Sequence, residues 1–209
     1  MVKRIGRIAA AVLLFVVVSM PVFAAENWMS TTFQYEHVFN TALRADTGAD
    51  SLGVDVAWHS FMDNSFAGFF ARTDFLFSID NPSGTDITLF RINLLTGPAF
   101  KVNINRMLTW YAGFGPFLSQ ATTLGSSSGS ETLLGAGVDT GLRISLFAEN
   151  TSGLYLVAGV TGSCNFLNIT NNTVSNRITG QIIPYIGFCF SYTTYPYNSY
   201  YVYNPLLWP

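Results

Sequence analysis

Leu52-Gly53-Val54-Asp55-Val56-Ala57-Trp58-His59 carries two opposite faces. Side chains of a β-strand alternate sides, so Leu52, Val54, Val56 and Trp58 share one face, and Gly53, Asp55, Ala57 and His59 share the other. One face is purely apolar and the other holds a carboxylate and an imidazole. The same division recurs along the chain. Phe69, Ala71, Thr73, Phe75 and Phe77 oppose Gly68, Phe70, Arg72 and Asp74, and Leu134, Ala136, Val138, Leu142 and Ile144 oppose Gly135, Gly137, Asp139, Gly141 and Arg143. Such unbroken apolar faces do not suit a sheet bathed in water. They suit a sheet closed on itself, with lipid outside and polar side chains inside.

Composition agrees. Charged residues make up 11% of the 209, against about a quarter in soluble domains. A soluble lipocalin-like barrel reverses the faces and needs many more surface charges.

Lys3, Arg4 and Arg7 precede an apolar run from Ile8 to Val18, and Val22-Phe23-Ala24 places small residues at −3 and −1 of a cleavage site. This is the pattern of a secretory signal peptide, residues 1–24. The apolar run is shorter than the ~20 residues of a membrane-spanning helix. Removing three bases leaves 7 Lys+Arg against 12 Asp+Glu, a net charge of −5. That balance disfavours nucleic acid as a partner.

Eight strand-like segments follow: Trp28–Phe39, Ser51–Phe61, Phe66–Ile79, Ile87–Val102, Met107–Ser119, Thr132–Leu146, Leu154–Asn165 and Arg177–Tyr192. Short turns alternate with longer loops at Asn40–Asp50, Asp80–Thr85, Ala121–Glu131 and Phe166–Asn176. Strands of ~9–11 residues suffice to cross a bilayer, and an even count of antiparallel strands closes a barrel. The expectation is an all-β, eight-stranded, antiparallel up-and-down transmembrane β-barrel over residues 25–192. Both termini and the short turns are expected in the periplasm and the longer loops outside. Residues 193–209 form a Tyr-rich periplasmic tail, read as a loose end or as a mooring to the inner leaflet.

Parity predicts the inward residues. Glu36, Asp55, Arg72, Asp74, Arg91, Asp139 and Arg143 form a candidate interior charge network, with Lys101 and Arg177 nearer the rims. Arg72/Asp74, Arg91/Lys101 and Asp139/Arg143 each share a face within one strand, and a lipid-facing Arg or Lys at the bilayer midplane costs about 2–4 kcal/mol. Trp58, Phe69, Phe100 and Trp110, with Phe190, fall outward near the periplasmic ends and form a candidate aromatic girdle.

Tyr111-Ala112-Gly113-Phe114-Gly115-Pro116-Phe117 and Pro184-Tyr185-Ile186-Gly187-Phe188-Cys189-Phe190-Ser191-Tyr192 resemble strands of small bacterial outer-membrane barrels. These are the OmpA-, OmpX- and OmpW-like proteins and their spirochaete versions. Tyr185, Gly187, Phe190 and Tyr192 are similar to the signal read by the barrel-assembly machinery. That signal usually ends a chain, whereas here a tail follows. The resemblance implies a bacterial outer-membrane location, with membrane lipids and the assembly machinery as partners. From its OmpW-like members it also implies passage of small hydrophobic compounds.

An eight-stranded barrel has room inside for little more than its own side chains. The function expected is therefore a structural barrel or a narrow passage for small solutes. The alternative is a surface protein that binds a ligand through its outer loops. No enzyme is expected: His37 falls on the lipid face, His59 lies inward beside Asp55, and no Ser is spaced as a nucleophile for either. No metal-ligand spacing and no cofactor motif appears. Cys164, on the lipid face, and Cys189, inside near the opposite rim, are too far apart to bond.

Overall fold

A computed structural model describes residues 26–39, 49–62, 65–78, 88–124, 130–148, 152–170, 173–175 and 178–193. The expected signal peptide, the Tyr-rich tail and Arg177 lie outside the described residues. The strands are β1 (Glu26–Phe39), β2 (Ala49–Phe61), β3 (Ala67–Ser78), β4 (Thr88–Asn103), β5 (Leu108–Leu124), β6 (Ser130–Ala148), β7 (Ser152–Thr170), β8 (Thr173–Ser175) and β9 (Thr179–Thr193). Eight of them pair antiparallel with their neighbours from β1 to β7, then β9, and β9 returns to β1. The barrel is closed, so none of these eight exposes an edge. Closure is what lets a sheet survive in hydrocarbon, where an unpaired N–H or C=O finds no water. The three-residue β8 folds back on the end of β7.

Connections of three to five residues, 62–66, 104–107 and 149–151, join strands at the end that holds Glu26 and Thr193, here called the terminal end. Ser65 N–H closes the first on Met62 C=O at 3.0 Å. The connections at the opposite, loop end are longer on average, with nine residues after β1 and after β3 and five after β5. β5, β6 and β7 run 17, 19 and 19 residues, against 14, 13 and 12 for β1 to β3. One side of the wall is therefore taller.

Three expected boundaries are corrected, the first two by this height. Ala121–Glu131 is not a loop as a whole, since β5 continues to Leu124 and β6 begins at Ser130. Phe166–Asn176 is not a loop either: β7 runs to Thr170 and turns into β8. β2 begins at Ala49 rather than Ser51. The small and polar residues there read as loop, but pairing with long neighbours holds them as strand.

The faces are inverted relative to a soluble barrel. Met29, Phe33, Leu52, Phe77, Phe114, Val138, Ile186 and Phe188 stand exposed on the outside. Thr32, Gln34, Asp55, Arg72, Arg91, Asn93, Asp139 and Gln181 are buried inside. One charge departs from the rule. Asp50 lies on the outward phase at the loop-end rim and receives Tyr35 Oη and His37 Nδ1, each at 2.6 Å. A rim position beside the headgroups tolerates such a group far better than the midplane does.

The ladder lapses at two places that hold prolines. The β4–β5 pairing lapses between Leu95 and Ala99, across Pro98 and Pro116, and the β1–β9 pairing lapses between Gln34 and His37, opposite Pro184. Proline has no N–H to donate to a ladder.

Candidate functional site

The candidate site is the lumen, and side chains fill it in three layers. The middle layer centres on Arg72. Its Nε reaches Asp74 Oδ1 at 2.9 Å, its Nη1 reaches Asp139 Oδ1 at 3.3 Å, and its Nη2 contacts Asp55 Oδ2 and donates to Gln34 Oε1 at 3.0 Å. These charges come from β2, β3 and β6, so the guanidinium ties opposite walls together. Asp139 Oδ1 also accepts Thr161 Oγ1 at 2.8 Å and Tyr185 Oη at 2.9 Å. Tyr185 Oη lies 2.7 Å from Tyr111 Oη, and the Tyr185 ring lies 3.9 Å beneath the guanidinium carbon.

The layer toward the loop end centres on Arg91. Its Nε stands 3.3 Å from Glu36, its Nη2 3.6 Å from Glu131, and its Nη1 donates to Ser119 Oγ at 3.0 Å. Asn93 Nδ2 reaches Glu36 at 2.9 Å and Asp74 at 3.3 Å, joining this layer to the middle one. Asn168 Nδ2 donates to Glu131 at 2.9 Å. Asn168 can point inward because the β6–β7 register shifts between Leu134 and Gly135, so Phe166 is skipped and the parity of β7 resets. That is the work of a β-bulge.

The layer at the terminal end is aromatic and cationic. Trp28, His59, Phe61, Phe70 and Tyr111 pack ring against ring, His59 stacked on Phe61 and Phe70 and the other pairs tilted or edge-on, with centroids from 4.6 to 6.3 Å apart. The Arg143 guanidinium lies 3.6 Å over Trp28 and 4.0 Å over Tyr155. Glu26 binds Lys101 through Oε2, while its Oε1 takes Trp28 Nε1 at 2.6 Å and Arg143 Nη2 at 3.3 Å. Leu95, Ala99 and Phe117 complete the packing.

Each predicted network residue can now be placed. Glu36, Asp55, Arg72, Asp74, Arg91, Asp139 and Arg143 are all inward and at most 5% exposed. They do not form one network, because Arg143 turns to Glu26 and the aromatic layer, not to the aspartates. Glu26 and Glu131 escaped the sequence reading, one assigned to the start of the chain and the other to a loop. Parity was the available signal: Glu131 shares the phase of Asp139 and Arg143, and Glu26 that of Glu36. Trp58, Phe69, Phe100 and Trp110 all point outward toward the terminal end. Within the proposed assembly signal, Tyr185 and Gly187 face the lumen, while Phe190 and Tyr192 stack outside at 6.3 Å.

His59 Nε2 stands 3.9 Å from Asp139 Oδ2. Enclosed by aromatic rings, it is a component of the packing. Cys164 is exposed and Cys189 buried, and both are free. Among the described residues no group of His, Cys, Asp and Glu has the arrangement of a metal site.

Solved structures share this geometry. Neisserial surface protein A superposes with a TM-score of 0.56 at 18% identity, over 80% of this chain and 97% of that one. The fold is that of the small eight-stranded outer-membrane barrels. Ail, the attachment invasion locus protein of Yersinia pestis, in complex with the heparin analogue sucrose octasulfate, matches with a TM-score of 0.50 at 13% identity, over 79% of this chain and 99% of Ail. The outer-membrane protein AlkL, solved in lipid bilayers, matches with 0.50 at 14% identity, over 84% of this chain and 94% of AlkL. No family model and no curated protein matches the sequence. The small barrels of the outer membrane thus share with this chain the closed ring of strands.

Proposed function

We propose that this protein is an integral barrel of the bacterial outer membrane with a closed lumen, acting through its wall and its loop-end surface rather than as an open pore. The observation that carries this reading is the Arg72 cluster. One guanidinium, 2% exposed, is held by three carboxylates from three strands at mid-barrel. Water-filled pores keep their charges wet; these are dry and spent on each other. The apolar exterior and the likeness to outer-membrane barrels support the location. The termini are assigned to the periplasmic side because the short turns lie there. We read the role as non-enzymatic: among the described residues His59 is enclosed by Trp28, Phe61, Phe70 and Tyr111. Reconstitution in planar bilayers tests the closed lumen: silence at moderate voltage is expected, and steady single-channel conductance from the pure protein overturns it.

The uneven wall favours a second reading, binding of a surface ligand. β5 to β7 exceed the ~9–11 residues that a crossing requires, and β8 adds a hairpin with all three residues exposed. The tall side therefore projects beyond the bilayer. Ail binds a heparin analogue, which makes sulfated polysaccharide a rational first ligand to try here. Replacing residues 125–129 and 171–178 with short turns should abolish such binding by whole cells, and unchanged binding sinks the reading.

A further inference from the structure

We infer that Arg143 and Lys101, at the terminal mouth of the barrel, form a binding site for a small oxyanion, a phosphate or carboxylate group. The charge count of that layer is the first observation. Two cations share a single carboxylate, that of Glu26, so the layer retains one net positive charge among its described side chains. The other two layers are the reverse, with two carboxylates around Arg91 and three around Arg72. The second observation is the state of Arg143. It is 5% exposed, yet its Nε and Nη1 have no hydrogen-bond partner. Nη2 donates to Glu26 Oε1 at 3.3 Å, and besides Glu26 the guanidinium meets the Cys189 sulfur. The faces of the guanidinium are covered by Trp28 and Tyr155, which stabilise the charge but accept none of its in-plane N–H groups. The nearby Cys189 sulfur is a weak acceptor. A buried guanidinium with two idle donors is costly unless something fills them.

The third observation concerns access. Glu26 keeps 31% of its side chain exposed and Lys101 keeps 11%, so the layer opens toward the terminal end. Behind it, Phe70, His59 and Tyr111 seal the floor. Among the described residues, that mouth is the side from which a ligand reaches the layer. A planar fork of N–H donors with an ammonium beside it matches an anion carrying two or more acceptor oxygens. Glu26 already presents the carboxylate version of that chemistry, from the chain itself. An external oxyanion competes with it or joins it on the idle donors.

Competition separates a binding site from a merely structural ion pair. The full mature protein in dodecyl maltoside micelles, which contain no phosphate, is titrated with inorganic phosphate by calorimetry. Saturable binding is expected, with Glu26→Gln at least fivefold tighter and Arg143→Met at least tenfold weaker. Heat-modifiable gel migration reports whether each variant is folded. If Arg143→Met is not folded, Lys101→Met takes its place, with a weakening of several-fold expected. In a parallel arm phosphatidylglycerol replaces phosphate, and retained lipid is read by native mass spectrometry. Lipid retention lost in the Arg143 or Lys101 variant identifies a headgroup as the source of the anion, and phosphate binding alone identifies a free one. The inference is overturned if neither phosphate nor phosphatidylglycerol binds the wild-type or Glu26→Gln protein. It is equally overturned if binding is indifferent to the cationic variants.

Discussion

Replacing Arg72 with Met tests the view that the lumen is a dry plug. Met keeps an unbranched apolar stem but ends short of the guanidinium and loses four polar contacts, to Asp55, Asp74, Asp139 and Gln34. Breaking a buried ion pair by removing one partner costs about 3–5 kcal/mol, because the remaining charge is left in a medium that cannot solvate it. Here three carboxylates lose one partner. Asp139 keeps Thr161 and Tyr185 as donors, and Asp74 keeps Asn93. Asp55 keeps the Thr32 backbone N–H at 2.8 Å. These survivors soften the loss, so a destabilisation of about 3–5 kcal/mol in all is expected. Combining Arg72→Met with Asp55→Asn and Asp74→Asn should restore more than half of it, since the orphaned charges vanish. Urea unfolding of the barrel in lipid vesicles, followed by heat-modifiable gel migration, measures both. If Arg72→Met lies within about 0.5 kcal/mol of wild type, the range of ordinary surface substitutions, the lumen is wet and the plug reasoning fails.

Val138, 53% exposed and one residue from the inward Asp139, faces the lipid near mid-barrel. Val138→Arg should cost about 2–4 kcal/mol in the same assay, and Leu146→Arg near the rim about 0–1; equal costs contradict the assigned faces. A methyl group on Gly159 would lie 2.4 Å from both the Thr140 carbonyl oxygen and Tyr185 Oη, so Gly159→Ala should shift the β6 backbone, push the ring off Asp139 and cost about 1–3 kcal/mol. Retained wild-type stability argues that Tyr185 is not seated on that glycine. A membrane-permeant maleimide should label Cys164, which is exposed, and spare Cys189, which is buried in the lumen. Equal labelling on a mass spectrum means the interior is open to reagent.

How much was legible depended on parity. Wherever a strand carried charge at mid-length, as at Asp55, Arg72, Asp74, Arg91, Asp139 and Arg143, alternation alone assigned the face, because the alternative placed an ion in hydrocarbon. Boundaries failed where local composition pointed to loop. Ser130 follows a Ser/Gly run and Thr170 and Thr173 flank Asn171-Asn172, residues that disfavour strand, and their neighbours across the ladder hold them in place. Asn168 was illegible for a sharper reason. Its face depends on a bulge at Phe166, and one skipped residue flips everything after it. Asp50 was read as loop and proved to be a strand residue on the outward phase, tolerated beside His37 and Tyr35 at the rim.

From the chain alone came the class of solvent on each side of the wall, the strand count and the inward position of most charges. Each follows from a period of two, which is a local property. Which charges meet belongs to the tertiary structure. Asp55 and His59 share a face of Leu52–His59, yet Asp55 joins the Arg72 cluster while His59 packs in the aromatic layer below it. Arg143 lies four residues from Asp139 on the same face, but it serves Glu26, 117 positions away in the chain. The register and the barrel's closure set these heights and partners. Both emerge only when all eight strands pair, because a side chain's neighbours inside a barrel come from across the ring.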